Sequence, residues 1–436
     1  MRLECSHNTA IVQGDQAISF SELRALVDHK YKVLRKFPES ATFALIAENS
    51  IAFVSTLLAA MQIRPVAILS SKWTESEIQT RLQTLKSYCL LSHDFSEVQG
   101  IQNTSHSIHP HTELILFTSG SCGNPKAVQL SKANRIANTE AVIESLRFRE
   151  ASLQDLHLPL SYSFGLLGQL FPALEVGLTT YLYSEVMELA GVFSERSSLG
   201  MLSAVPEQWQ FLVEFARSHT EAAHSASHII SAGSRLNANL RKELRDAFPN
   251  AVLFNNYGMT ECSPRILSLS SDDPAFFSEA VGRPVKGLSV SFTDDGVLRI
   301  QGSQVMLAYV DGASTNSTLL SGDLGFEKEG IVFLNGRRDD LVKISGERIS
   351  CQDVTSRIRE ADCVQDAYVL PYDDANYGKR LAAFVVLKDA SKEDFKSFVR
   401  QNLSGNAKPS KIHFLDKLPI NSNSKIDRNA LLKEFL

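Results

Sequence analysis

Nowhere in the 436 residues do cysteines stand in a metal-clipping pattern. Cys5, Cys89, Cys122, Cys262, Cys351 and Cys363 are scattered, with no C-x-x-C pair and no histidine at zinc-finger spacing. That usage fits a reduced, intracellular protein without a structural metal. Basic runs are missing too. Lys+Arg number 44 against 49 Asp+Glu, a net charge of -5, which excludes a protein built to neutralise a nucleic-acid backbone. A small phosphorylated ligand stays open, because it needs only local donors. No uninterrupted apolar run is long enough to span a bilayer. The most apolar stretch, Ile51 to Leu69, is broken by Ser55, Thr56, Gln62, Arg64 and Pro65 and reads as a buried helix followed by a strand. Met1 to Gly14 carries Glu4, His7 and Asn8 and lacks the apolar centre of a signal peptide. The expected location is cytoplasmic. Internal repeats and low-complexity tracts are absent. What is present is ordinary for a globular protein, 44% hydrophobic and 21% charged, in a length that suits roughly two to three domains of ~150 residues.

Apolar strand-like runs alternate with helical stretches through the first two thirds. Phe43–Ile46 reads as a buried strand, Asn49 or Ser50 as the cap of a helix Ile51–Met61, and Val66–Leu69 as the next strand. A polar helix from about Thr74 to Leu85 and a strand Cys89–Leu91 follow. This β-α-β-α-β order predicts a parallel sheet with helices on its faces. It recurs with strands His228–Ile230 and Val252–Phe254 about a charged helix Asn239–Ala247. After Gly282 short strands at Leu288–Phe292, Val297–Gln301 and Ile331–Asn335, separated by Asp294-Asp295-Gly296 and Glu329-Gly330, predict β-hairpins. Beyond Gly336 helices near Cys351–Glu360 and Lys392–Leu403 and strands Asp366–Pro371 and Leu381–Lys388 predict a small α+β domain, with 336–340 as a candidate linker.

The strongest chemical signal is the run Leu114-Ile-Leu-Phe-Thr-Ser-Gly-Ser-Cys-Gly-Asn-Pro-Lys126. An apolar strand enters a loop of glycines and hydroxyls that ends in a lysine. Glycines let successive N–H groups converge on an anion, while Thr118, Ser119, Ser121 and Lys126 add donors and charge. The Walker order is missing, so this is a different phosphate loop or a Ser/Gly-rich surface turn. A second cluster, Asn255-Asn256-Tyr257-Gly258-Met259-Thr260-Glu261, follows a strand, where ligands of open α/β sheets collect. Its Tyr suits base stacking, and Thr with Glu suits phosphate and a divalent cation; read alone, the Thr is a helix cap. Ser321-Gly-Asp323-Leu-Gly325, Gly336 to Ile349 and Leu418 to Arg428 complete the set. Each by itself reads equally as a turn with solvated charges.

Taken in order, these five motifs, with Val281-Gly-Arg-Pro284 and Gln304 to Tyr309, resemble the adenylate-forming superfamily of acyl- and aryl-CoA ligases, nonribosomal adenylation domains and luciferases. The resemblance runs over nearly the whole chain. It implies an α/β protein: a large N-terminal domain, 1–336, with mixed and parallel sheets flanked by helices and a β-subdomain; a hinge, 337–340, centred on Asp339; and a small mobile α+β C-terminal lid, 341–436. It implies ATP and Mg²⁺ as cofactors, with Thr118, Ser119, Gly120, Ser121, Gly123 and Lys126 as the phosphate loop. Thr260 would contact the α-phosphate and Glu261 the Mg²⁺. Asn256, Tyr257 and Gly258 would pack on adenine opposite the backbone of Ser234 and Arg235, and Asp323 with Arg337 would hold the ribose. Lys425 would bridge carboxylate and α-phosphate, the positioned cation that an anion attacking a polyanion requires. The implied reaction is acid activation to an acyl-adenylate, then transfer to CoA or to the phosphopantetheine of a carrier protein. The alternatives are delivery to an amine, or a silent nucleotide- or acyl-binding regulator. A homodimer is the default assembly.

Departures bear on specificity. Cys122 stands where the family has Thr, Ala127 where it has Gly, and Ser424 where Gly precedes the lysine. Tyr162, Phe164, Gly165 and Gly233 are the expected pocket for the acid, with Tyr162 reading equally as a core residue. No acidic residue follows Leu156 before Leu174, and a buried ammonium without a counter-charge is costly. The expected substrate is therefore a non-amino aryl or short to medium acyl acid.

Overall fold

A computed structural model of the chain describes residues 7–37, 42–85, 88–91, 98–99, 108–119, 125–338, 341–344, 347–374, 378–388, 391–403, 405–420 and 426–435. The chain divides into two compact units: Met1–Ser291 with Arg299–Leu319 and Glu327–Phe333, and Phe292–Leu298 with Leu320–Phe326 and Leu334–Leu436. The second unit thus takes in two segments that a boundary at 336 assigns to the first.

The first unit carries two large sheets. One has the spatial order Arg283–Pro284, Arg265–Ser270, Val252–Gly258, His228–Ser231, Met201–Ala204, Leu153–Leu156, Thr179–Leu182, Thr9–Gln13 and Gln16–Ser19. Its interior pairs are parallel and its outer ones antiparallel. The other runs Ala308–Tyr309, Pro125–Ser131, Thr112–Ser119, Val66–Ser70, Thr42–Ala47, Tyr88–Leu91 and Val98–Gln99. Central strands such as Val66–Ser70 and Met201–Ala204 are buried at every position, as continuous apolar runs covered on both faces must be. The helices Phe20–Leu34 and Ile51–Ala60 share one apolar core with strands of both sheets. Helices Val186–Glu195, Pro206–Ser218 and Ala238–Ala247 pack in a second core around Trp209 and Phe248. Ser19, Ser50, Ser131 and Asn237 accept from backbone N–H groups at the starts of their helices, each such cap worth about 1 kcal/mol.

The turn-separated strands after Gly282 form a four-stranded sheet, ordered Leu288–Phe292, Val297–Gly302, Thr318–Lys328, Ile331–Arg337. Here the structure corrects the reading of Ser321–Gly325 as a turn: it lies inside the strand Thr318–Lys328. The second unit builds a three-stranded sheet of Val364–Asp374, Gly378–Leu387 and Lys411–Phe414. Helices Cys351–Arg359 and Lys392–Asn402 cover one face through Ile358, Phe395 and Val399, and Arg428–Phe435 covers the other through Leu431. Among the described residues no helix is long and apolar enough to cross a membrane.

Candidate active site

The strand Val252–Gly258 does not end at Phe254, as its apolar run suggests, but continues through Gly258 in antiparallel register with Arg265–Ser270. Asn256 is therefore a strand residue, buried at 4% exposure. Its Oδ1 has no hydrogen-bond partner among the described residues. Tyr257 is half-buried and Gly258 exposed. A Cβ at Gly258 would fall 2.1 Å from the Pro264 carbonyl oxygen, so only glycine lets the chain return this closely. That return forms the tight turn from which Thr260 and Glu261 project.

Thr260 is not a helix cap. It opens a 3₁₀ turn, Thr260–Cys262, for which Met259 is the preceding residue. Its hydroxyl lies 3.0 Å from that of Ser163. Ser163, Phe164 and Gly165 form one short helical turn, which runs into a π-helical turn, Leu166–Leu170; such turns recur at functional sites. Gly165 is packed against the carbonyls of Leu158 and Pro159. Tyr162 is half-buried with its ring edge-on to Trp73, the centroids 6.5 Å apart.

Glu261 is 8% exposed. The Tyr309 hydroxyl donates to its Oε1 at 2.8 Å, and its carbonyl accepts from the Met306 N–H at 2.8 Å. Tyr309 is held by pairing of Ala308–Tyr309 with Gln129 and Val128. The same ring lies 5.2 Å from the Lys126 ammonium, an exposed group on the strand Pro125–Ser131. Thr118 and Lys126 are cross-strand partners, as are Ser119 and Pro125. The structure thus gathers Thr118, Lys126, Tyr309, Glu261, Thr260 and Ser163 through successive contacts in one unit. Gly120, Ser121, Cys122 and Gly123 of the intervening loop lie outside the described residues, as do Asp339 and Lys425.

The remaining positions fall in two places. Gly233 has φ +97°, and a Cβ there would come within 3.0 Å of Val205 Cγ1, so this turn requires glycine. Ser234 donates to both carboxylate oxygens of Glu207 at 2.9 and 3.1 Å, and Arg235 pairs with Glu279 at 2.6 Å. Both side chains are exposed and engaged by these carboxylates. Arg241 anchors the loop from below. It is 2% exposed and donates to the carbonyls of Leu236, Phe276 and Ala280. In the second unit Arg337 approaches Asp323 at 3.6 Å, and the Asp323 N–H donates to Ser321 Oγ at 3.0 Å.

Sequence reasoning gave no role to Ser163, Tyr309 or Arg265. The first two meet their partners across 97 and 48 residues, so no local pattern reports them. Arg265 did leave a signal, a lone charge opening the apolar strand Arg265–Ser270.

The donor set fits a magnesium nucleotide. A carboxylate this buried, with one hydroxyl donor and no cationic partner among the described residues, is under-compensated. Hard oxygen ligands of this kind suit a small divalent cation. Neither Asn256 Oδ1 nor Ser231 Oγ, on adjoining strands, has a partner among the described residues.

Comparison with known proteins agrees. A family model described as AMP-binding enzyme matches residues 102–310, and one described as AMP-binding enzyme C-terminal domain matches 354–425. The chain is 26% identical over 344 residues to D-alanine–D-alanyl carrier protein ligase of Staphylococcus haemolyticus, covering 73% of this chain and 70% of that protein. It is 26% identical over an alignment of 467 residues to 2-succinylbenzoate–CoA ligase of Bacillus subtilis, covering 97% and 94%. In three dimensions it is similar to O-succinylbenzoate coenzyme A synthetase from Bacillus subtilis in complex with ATP and magnesium ion. The TM-score is 0.82 at 24% identity, over 98% of this chain and 97% of that one. ATP-bound MatB from Rhodopseudomonas palustris gives 0.82 at 21% identity, over 100% and 97%. These structural likenesses are likenesses of fold.

Proposed function

The chain belongs to the adenylate-forming family of AMP-binding enzymes, and from that premise we propose that it is an acid–thiol ligase. A carboxylate oxygen attacks the α-phosphorus of ATP and pyrophosphate leaves. The sulfur of CoA, or of a carrier protein's phosphopantetheine, then attacks the acyl carbon and AMP leaves. The observation that carries this reading is the buried carboxylate of Glu261, without a cationic partner among the described residues, directly after Thr260 and oriented by Tyr309. Glu261 would hold Mg²⁺, which neutralises phosphate charge when bound with ATP. In the same reading Thr260 donates to the α-phosphate, and the Thr118–Lys126 hairpin cradles the outer phosphates. Asn256, Tyr257 and Gly258 with the backbone of Gly233–Arg235 form the adenine slot, and Asp323 with Arg337 takes the ribose. Lys425 is the cation that accompanies the attacking carboxylate, delivered by a lid of residues 341–436 that turns about Asp339. A cytoplasmic setting accords with the free thiols of Cys89, Cys262 and Cys363.

The acid is an aryl or short to medium acyl acid rather than an amino acid. Asp155, the buried carboxylate nearest in sequence to the Leu158–Leu166 segment, is already engaged by Arg196 at 2.7 Å, Tyr183 at 2.9 Å and the Gly200 N–H at 3.0 Å. It is not free to neutralise a substrate ammonium. Acid-dependent exchange of labelled pyrophosphate into ATP tests the proposal, followed by thioester formation with CoA and with a holo carrier protein. Exchange with aryl or acyl acids and thioester with one acceptor is the expected result. ATP binding without exchange for any acid would reduce the protein to a binder.

A further inference from the structure

The strand Arg265–Ser270 opens on a guanidinium without an anionic partner among the described residues. Arg265 is 1% exposed, its Nε and Nη2 have no hydrogen-bond partner, and no carboxylate pairs with it among the described residues. Other buried arginines here are satisfied. Arg135 forks onto Glu113 at 2.6 and 3.0 Å, and Arg241 takes three carbonyls. Burial lowers the Arg265 pKa to about 9, so the group is cationic at neutral pH. A buried cation without an anion is unfavourable enough that an anionic partner is to be expected.

Strand register shows where that partner would sit. Arg265 pairs with Gly258, and Ser203, Ile230 and Phe254 are successive cross-strand neighbours. A bulge between Tyr257 and Gly258 shifts the register by one residue, so that Arg265 rather than Ile266 faces Gly258; Arg265 thereby shares a face of the sheet with Asn256, Phe254 and Ser203. Unpartnered atoms gather on that face: Arg265 Nε and Nη2, Asn256 Oδ1 and Ser203 Oγ. The Arg265 guanidinium lies 5.4 Å from the centre of the Phe164 ring. Gly168 adjoins both groups; a Cβ there would stand in contact, 3.5 Å from Arg265 Nη2 and 3.5 Å from Phe164 Cδ2. Phe164 directly follows Ser163, whose hydroxyl meets that of Thr260. The cation therefore borders the segment that reaches the reaction centre.

We propose that Arg265 binds a second, non-reacting carboxylate of the substrate, so that the enzyme activates one end of a dicarboxylic acid. This rests on the acid-activating reading above. A guanidinium matches a carboxylate in a two-bond fork, and a distal anion held there fixes which carboxylate faces ATP. A site whose buried donors lose their partner rejects the analogue lacking it.

The test is pyrophosphate exchange with matched pairs: glutarate and butyrate, phthalate and benzoate, 2-succinylbenzoate and 3-benzoylpropionate. The expected result is a preference of about 100-fold in kcat/KM for the dicarboxylate in at least one pair. Arg265→Met abolishes it mainly through KM, leaving the monocarboxylate within about threefold, and Arg265→Lys falls between. The melting temperature of Arg265→Met stays equal or rises, because an apolar side chain replaces an unpaired charge; a purely structural arginine would lower it. Equal or better use of the monocarboxylate in every pair overturns the subsite, as does equal loss of both partners in Arg265→Met. Should that variant fail to fold, the wild-type pairs and Arg265→Lys decide alone. Exchange with monocarboxylates only refutes the subsite and leaves the ligase reading standing, whereas no exchange with any acid removes both.

Discussion

Tyr309→Phe removes one oxygen atom and tests whether Glu261 works as an oriented ligand. The hydroxyl donates to Glu261 Oε1 at 2.8 Å inside a site where the glutamate is 8% exposed. A hydrogen bond to a charged, buried acceptor contributes about 1.5–3 kcal/mol, or roughly 10- to 150-fold in an equilibrium. Phenylalanine keeps the ring near Lys126 and the strand pairing of Ala308–Tyr309, while the hydrogen bond to the carboxylate is lost. Pyrophosphate exchange titrated with Mg²⁺ should show kcat/KM for the magnesium nucleotide down about 10- to 100-fold and a raised Mg²⁺ requirement. Thermal unfolding should shift by no more than a few degrees. Exchange within twofold of wild type at every Mg²⁺ concentration would refute the argument that Tyr309 positions Glu261 for the metal.

Three other outcomes follow from the same contacts. His157 is 2% exposed, and burial, aided by the charge of Lys72, lowers its pKa to about 4 against the pull of Gln208. Between pH 6.5 and about 4 the unfolded chain binds the extra proton, so stability is full above 6.5 and falls by about 3 kcal/mol toward pH 4. Denaturant titrations should show this, with a shallower fall in His157→Gln; an unchanged slope would contradict it. Arg241→Gln strands buried carbonyls of Leu236, Phe276 and Ala280 and should cost about 3–5 kcal/mol, with amide exchange rising first at 232–236. A loss under about 1 kcal/mol would show that the loop is held elsewhere. Lys425→Ala should abolish adenylate formation while sparing thioester formation from a pre-made acyl-adenylate, and equal loss of both half-reactions would count against its role.

Much of the architecture was legible because the buried strands are continuous apolar runs and the helices announce their caps. Val66–Ser70 and His228–Ser231 match their patterns within a residue or two. Thr318–Lys328 escaped because its side chains are mostly half-exposed and it contains Ser-Gly-Asp-Leu-Gly, so neither alternation nor an apolar run marks it. The site was legible where one segment carries the chemistry, as in Asn255 to Glu261. It was not where chemistry depends on distant segments meeting: the Ser163 hydroxyl on Thr260, the Tyr309 hydroxyl on Glu261. An unpaired arginine can be recognised only once its surroundings are known to hold no acid.

The central claim, attack of a carboxylate oxygen on the α-phosphorus, leaves a mark in the products. With acid labelled by ¹⁸O in its carboxyl group, a complete turnover with ATP and thiol should release AMP carrying one ¹⁸O atom in its phosphate. ADP formation, label in inorganic phosphate, or AMP without label would contradict the account.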